Sequence, residues 1–246
     1  MTQATIRAIN LSDIRVSCEN CSLGELCLPR GLEANEIGQL DAAVTQKRPV
    51  ARGAHLYRMN DPAPAMFIAR SGSFKSCFLT PQGDEQIVGF HLPGELIGLD
   101  GLESGRHNCF VEALETSSVC EVPFEKLESL CSILPRMQRE MLRLMGREIG
   151  EEQRLLLMLG HKSAEQRLAS LLSSLADRYA RRGLSGSEFH LSMSRQDIAN
   201  YLGLALETVS RGFAHLQDEG VIVVDRRRIR IADHKRLAGI SGASRE

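Results

Sequence analysis

From about Gly31 to Phe124 the apolar residues come in short stretches, such as Ala65-Met-Phe-Ile-Ala69, Gln86-Ile-Val-Gly-Phe90 and Ser118-Val-Cys-Glu-Val122. Turn-forming residues separate them at Gly53, Asp61-Pro62, Gly72, Pro81, Gly83, Pro93-Gly94 and Gly105. Short strands punctuated this evenly predict an all-β barrel or sandwich. After Pro135 the period changes: Leu142, Met145, Ile149, Glu152, Leu156 and Leu159 recur at alternating steps of three and four, the a/d seam of a coiled coil. The pattern predicts a long helix from about Pro135 to Leu159, broken at Gly160. Ser163 with Gln166 forms a capping box for a further helix carrying Leu168, Leu171, Leu172, Leu175 and Tyr179, followed by a linker over 181–187.

Ser194 can cap a helix whose N3 residue is Asp197; it runs through Ile198, Ala199 and Leu202 and stops at Gly203. A second helix begins near Leu206. Two helices joined so tightly need small residues where the backbones meet, and Ala199, Gly203 and Val209 stand at the spacing of a helix-turn-helix. In the second helix Leu206, Val209, Phe213 and Leu216 share an apolar face, opposite Glu207, Ser210, Arg211 and Ala214. Arg donates two hydrogen bonds to guanine, Glu accepts from cytosine and Ser bonds either way, so this face can read the major groove. Val221 to Val224 and Ile229 to Ile231 flank Asp225-Arg-Arg-Arg228, which predicts a β-hairpin wing with a basic tip against phosphate. Gly212 inside the reading helix costs about 1 kcal/mol relative to Ala.

The 246 residues suffice for two domains. Net charge is −1 overall, but from His161 onward the chain carries +4 and before it −5, so the basic part coincides with the helix-turn-helix. No apolar run approaches a membrane span, and the N-terminus lacks a signal-peptide core, which predicts a cytoplasmic protein with no membrane partner. Its seven cysteines are then reduced thiols, better read as metal chemistry than as disulfides. Cys18, Cys21 and Cys27 lie within ten residues of one another, in a segment with no regular period. Three thiolates leave a tetrahedral or cubane site one ligand short, and Cys77, Cys109, Cys120 and Cys131 are all candidates for the fourth. Zinc suits four thiolates as well as iron and sulfide do. His55, His91 and His107 read as ordinary barrel or surface histidines. No Ser/His/Asp set, carboxylate pair or phosphate loop stands in a catalytic context, so an enzyme is not expected.

Assembled, these residues resemble the CRP/FNR family of bacterial transcription regulators, and within it the FNR (ANR-like) oxygen-sensing iron-sulfur regulators. The likeness spans nearly the whole chain. It rests on the cysteine triplet, Gly83-Asp-Glu-Gln-Ile-Val-Gly-Phe-His91, Ala113-Leu-Glu-Thr-Ser-Ser-Val-Cys-Glu-Val-Pro-Phe124, Leu144-Met145 and Asn200-Tyr-Leu-Gly-Leu-Ala-Leu-Glu-Thr-Val-Ser-Arg211. The resemblance implies an α+β fold: an N-terminal β-barrel like a cyclic-nucleotide-binding domain (a double-stranded β-helix), a long dimerisation helix and a C-terminal winged helix-turn-helix. The expected divisions are 1–30 for cluster binding, 31–134 for the barrel, 135–160 for dimerisation and 161–246 for DNA binding. It also implies Cys120 as fourth ligand to an oxygen-labile [4Fe-4S] cluster, Glu207, Ser210 and Arg211 reading TTGAT-like half-sites of a palindrome, and RNA polymerase touching the loop Thr80 to Gln86. Gly94-Glu-Leu96 matches cyclic-nucleotide binders, but Arg106-His-Asn-Cys109 departs from their phosphate-binding Arg-Ser/Thr-Ala, which disfavours such a ligand. A zinc or thiol-redox regulator and a small-molecule-gated one are the alternatives.

Glu152 is the one charge in the apolar seam. In a parallel dimer two such carboxylates about 8 Å apart, at an effective dielectric near 20, repel by about 2 kcal/mol. That is roughly thirtyfold in a dimerisation constant. A cluster clamping the N-terminal segment near Cys120 is expected to shift the helix so that the pair is tolerated; a solvated Glu152 off the seam is the competing reading.

Overall fold

In the computed structural model, which describes residues 17–47, 49–80 and 82–242, antiparallel pairing organises the first half of the chain. The first sixteen residues of the cysteine-rich segment and the turn residue Pro81 lie outside the described residues. Strands β1 (Thr45–Gln46), β8 (Ser118–Pro123), β3 (Ala65–Ser71) and β6 (Leu96–Ile97) make one sheet in that order. Strands β2 (His55–Tyr57), β7 (Phe110–Ala113), β4 (Phe74–Leu79) and β5 (Glu85–His91) make the other, with β5 at its edge. Phe67, Ala69 and Val119 from the first sheet meet Phe74, Val111 and Ala113 from the second in one buried core, as expected for a barrel whose strands alternate inward and outward.

Three helices in this structure were not anticipated. α1 (Ala34–Ala43) and α2 (Phe124–Ile133) flank the barrel, and α7 (His234–Ser241) is the last of the described elements. α1 is short and mostly exposed, burying only Leu40 and Ala43, so its apolar period is weak, although Glu33 and Glu36 form a capping box at its start. α7 is capped by Asp233 and stopped by Gly242. α3 (Pro135–His161) contains the expected long helix but does not break at Gly160. The roughly 1 kcal/mol that glycine costs there is offset by packing of the buried Met158 and by Arg167, whose guanidinium donates to Leu159 O (2.8 Å), Lys162 O (3.0 Å) and Leu202 O (3.0 Å). Arg167 thus satisfies carbonyls that the ends of two helices leave open.

α4 (Ala164–Arg181), β9 (Glu188–His190), α5 (Arg195–Leu202), α6 (Leu206–Asp218), β10 (Ile222–Asp225) and β11 (Arg228–Ile231) complete the C-terminal unit. Both expected capping boxes are present, Ser163 with Gln166 and Ser194 with Asp197. Between α5 and α6, Gly203 takes φ 61° and ψ 43°, the left-handed conformation that glycine adopts without a Cβ penalty. Gly212 has a packing reason: a Cβ there would lie 2.9 Å from Cδ2 of the fully buried Leu168, so its absence lets α6 settle against α4. One apolar core joins this unit to the barrel, running from Ile87, Phe90 and Phe110 to Leu172, Ile198 and Phe213. Among the described residues no helix is long and apolar enough to cross a membrane.

Candidate nucleic-acid interface and thiol cluster

On α6 the apolar face is Val209, Phe213 and Leu216, all buried. Leu206, expected to join them, is 38% exposed because it stands at the first helical position, beyond the reach of the core. Glu207, Ser210, Arg211 and Ala214 are exposed, and no side-chain hydrogen bond engages the first three among the described residues. Their polar groups are therefore available to an outside partner. The wing forms by β10–β11 pairing with Asp225 opposite Arg228. The three arginines of the 226–228 run differ: Arg226 is exposed at φ 53°, Arg227 donates to Ser192 O (3.0 Å), and Arg228 pairs with Glu188. Arg226 is thus the one of these three whose side chain engages no protein partner among the described residues.

The cysteine segment winds as two 3-10 turns, Cys18–Asn20 and Gly24–Leu26, with Cys21 and Cys27 capping them. The Cys18 N–H donates to Asp41 Oδ1 on α1 at 2.9 Å, which pins the segment. Cys120 sits on β8 opposite Gln46 and Ile68. Burial, then Asp41, then Cys120 and Cys21 push the Cys18 thiol up to about 12. Burial drives Cys27 to about 12 as well, against the Leu28 backbone, with Cys120, Cys18 and Cys21 adding to the rise. Cys120 is raised by burial and by Cys21 and Asp41, while Arg70 opposes. Cys18, Cys27 and Cys120 thus each feel Cys21. The remaining three do not belong to this group: Cys77 responds to burial, Lys75, Glu85, Glu112 and Asp197; Cys109 to burial, Asp100, Tyr57 and Cys77; Cys131 to burial alone. Cys77 and Cys109 are core residues, 0% and 4% exposed. Among the described residues no three Cys, His, Asp or Glu side chains stand close enough to share a metal ion. In kind and number these four thiols fit a metal or iron-sulfur group, whose positive charge would offset what raises Cys18, Cys27 and Cys120.

Cys18, Cys27 and Cys120 pack against the same core as Met137, Met141, Leu144 and Met145 of α3. On the same helix Leu142, Ile149 and Leu156 are 63%, 54% and 70% exposed, Glu152 is exposed between Ile149 and Leu156, and Met145 and Leu159 are half-buried. Glu152 therefore lies within an uncovered apolar stripe.

Several polar residues that sequence reasoning passed over join the barrel to the C-terminal unit. Glu95 accepts from Arg178 Nε (2.9 Å) and Nη2 (2.5 Å) and from Arg182 Nη2 (2.6 Å). Burial opposes its ionisation, but Arg178 and then Arg182 outweigh that and hold its pKa near 2. Lys75 pairs with Asp197 at 3.1 Å. The one available signal was Gly94-Glu-Leu96, whose glutamate is here taken up by arginines of α4. Arg106 is exposed and donates to Asn60 O at 2.7 Å. His107, 2% exposed, stacks on Tyr57 and contacts Asp100 Oδ1 at 3.2 Å, a buried structural group as expected.

Two family models match the chain, a cyclic nucleotide-binding domain over residues 47–133 and a Crp-like helix-turn-helix domain over residues 166–240. Electron transport regulator A of Shewanella oneidensis is 45% identical over 95% of this chain and 94% of its own length. The fumarate and nitrate reduction regulatory protein of Escherichia coli K12 is 43% identical over 98% of this chain and 96% of its own. Among solved structures, FixK2 from Bradyrhizobium japonicum superposes with a TM-score of 0.72 at 31% identity, covering 82% of this chain and 99% of that one. The first two relatives are regulators by name, not enzymes. With a barrel, a long helix and a free reading face on a winged helix-turn-helix, the chain belongs to the CRP/FNR family and is an FNR-like DNA-binding transcription regulator.

Proposed function

We propose that this regulator responds to oxygen, with Cys18, Cys21, Cys27 and Cys120 holding a [4Fe-4S] cluster whose presence favours a dimer that binds TTGAT-like inverted repeats in the cytoplasm. The observation that carries the reading is placement: Cys18, Cys27 and Cys120 pack against one apolar core and each feels Cys21, whereas Cys77, Cys109 and Cys131 feel none of the four. When bound, the cluster would supply an oxygen-labile link between the 18–27 loop and β8. The chain's own residues do the rest. The core that Cys18, Cys27 and Cys120 share with Met141, Leu144 and Met145 ties the loop to the first half of α3. The exposed stripe of Leu142, Ile149 and Leu156 suits a second copy of the same helix, with Glu152 setting a repulsion that keeps the pairing marginal. Two reading helices one DNA turn apart, about 34 Å, can then enter successive major grooves. Glu207, Ser210 and Arg211 read bases, and the loop Thr80 to Gln86 meets RNA polymerase. Anaerobic reconstitution with iron and sulfide tests the ligand set: Cys120→Ser loses the visible absorbance and Cys77→Ser keeps it. Absorbance retained by both overturns the choice of Cys120, and bound zinc without iron overturns the cluster.

A further inference from the structure

Two different parts of the chain grip one turn of the barrel. On one side lies the cysteine loop: a Cβ on Gly94 would stand 3.1 Å from Leu26 Cβ and 3.9 Å from Leu23 Cβ, and Gly94 itself has φ +86°, open to glycine and strained for other residues. Leu23 and Leu26 fall between Cys21 and Cys27, on the loop that the thiols hold. On the other side lies α4: Arg182 Nε donates to Pro93 O at 2.7 Å, Arg178 Nη2 to Phe90 O at 2.5 Å, and both arginines to the Glu95 carboxylate. Glu95 Oε2 also accepts the Leu92 N–H at 2.9 Å, which locks the turn's shape to its side chain.

We propose that the turn Pro93–Gly94–Glu95 passes the state of the cysteine loop to the DNA-binding unit within a single subunit, with Glu95 the positioning residue that sets how that unit is held. This rests on the thiol-cluster reading above and adds to it a route independent of α3. A displaced loop either drags the turn or leaves Leu23 and Leu26 without their packing surface. A displaced turn must carry α4 with it or leave a buried carboxylate facing no cation, which is strongly unfavourable. α4 in turn carries the helix-turn-helix, through Arg167 on Leu202 O at the end of α5 and the close approach of Leu168 to Gly212 on the reading helix α6. Orientation of the reading helix thereby depends on the loop even when the number of subunits does not change.

Hydrogen exchange on the purified full chain, together with operator binding expressed per dimer, tests this. Leu26→Ala, remote from α4, is expected to speed exchange at least fivefold in both 92–96 and 178–184 while leaving 206–218 as in the unaltered protein. Glu95→Gln is expected to keep iron content and dimer mass but to weaken operator binding per dimer about tenfold, with Arg182→Met intermediate. Unchanged exchange at 178–184 in Leu26→Ala overturns the route, as does unchanged operator affinity per dimer in Glu95→Gln. If every protein proves iron-free, the thiol-cluster reading fails and the exchange comparison still decides the route.

Discussion

Asn200 pairs with the backbone at Ile87 as a neighbouring strand would: the Ile87 N–H donates to its Oδ1 at 2.6 Å, and its Nδ2 donates to Glu85 O, also at 2.6 Å. β5 is the outer strand of its sheet, with no strand beside it on one side among the described residues. One amide on α5 therefore caps a sheet edge and docks the helix-turn-helix on the barrel, beside the Lys75–Asp197 pair. Asn200→Ala leaves the part-buried Ile87 N–H without its acceptor, while the exposed Glu85 carbonyl can turn to water, and is expected to cost about 1–2 kcal/mol. Urea unfolding and faster exchange of the Ile87 amide check this; an unchanged midpoint contradicts it.

Glu152 stands exposed in the stripe that α3 presents to a second copy. Removing the like-charge pair is expected to return about 2 kcal/mol, so Glu152→Ala should raise the dimerisation constant in air about thirtyfold. Sedimentation and operator titration read this directly. A monomer in air with unaltered operator affinity takes Glu152 out of the account.

His91 and Glu148 pull stability in opposite directions with pH. His91 Nε2 meets Ser76 Oγ at 2.7 Å, and burial, joined by Arg178 and opposed by Glu95, holds its pKa near 4 against an ordinary 6.5. Its contribution is complete above pH 6.5 and is lost as pH falls toward 4. Glu148 is pushed up to about 7 from 4.5 by burial and then by Glu95, so its contribution is full below pH 4.5 and lost as pH rises through 7. Glu148→Gln is therefore expected to stabilise the protein at pH 8 by about 1–2 kcal/mol, allowing for solvent screening, and to change little at pH 4.5. Denaturation at the two pH values decides; a variant weaker at pH 8 contradicts the assignment.

The elements with strong local signals were legible before any coordinates. Ser163 and Ser194 announced two helices because a capping box is a four-residue pattern, and α6 showed its faces because three of its core residues recur at helical spacing. α1 was not legible, because a helix burying only Leu40 and Ala43 leaves little period to read. In the candidate site, the triplet Cys18, Cys21 and Cys27 was visible through proximity in sequence. Cys120, about a hundred positions away, could be named only through family likeness, since nothing local separates it from Cys77. The Glu95–Arg178 and Asn200–Ile87 contacts join residues 83 and 113 positions apart. Local pattern carries no trace of such pairs, which exist only once barrel and helices are folded together.

Operator affinity, iron content and mass measured together on anaerobically purified protein, before and after exposure to air, decide whether a cluster governs DNA binding. A coloured, iron-bearing dimer that binds a palindromic site is expected, with loss of colour, dimer and binding together once oxygen is admitted. A colourless, iron-free protein that binds the same site equally well under both conditions would contradict it.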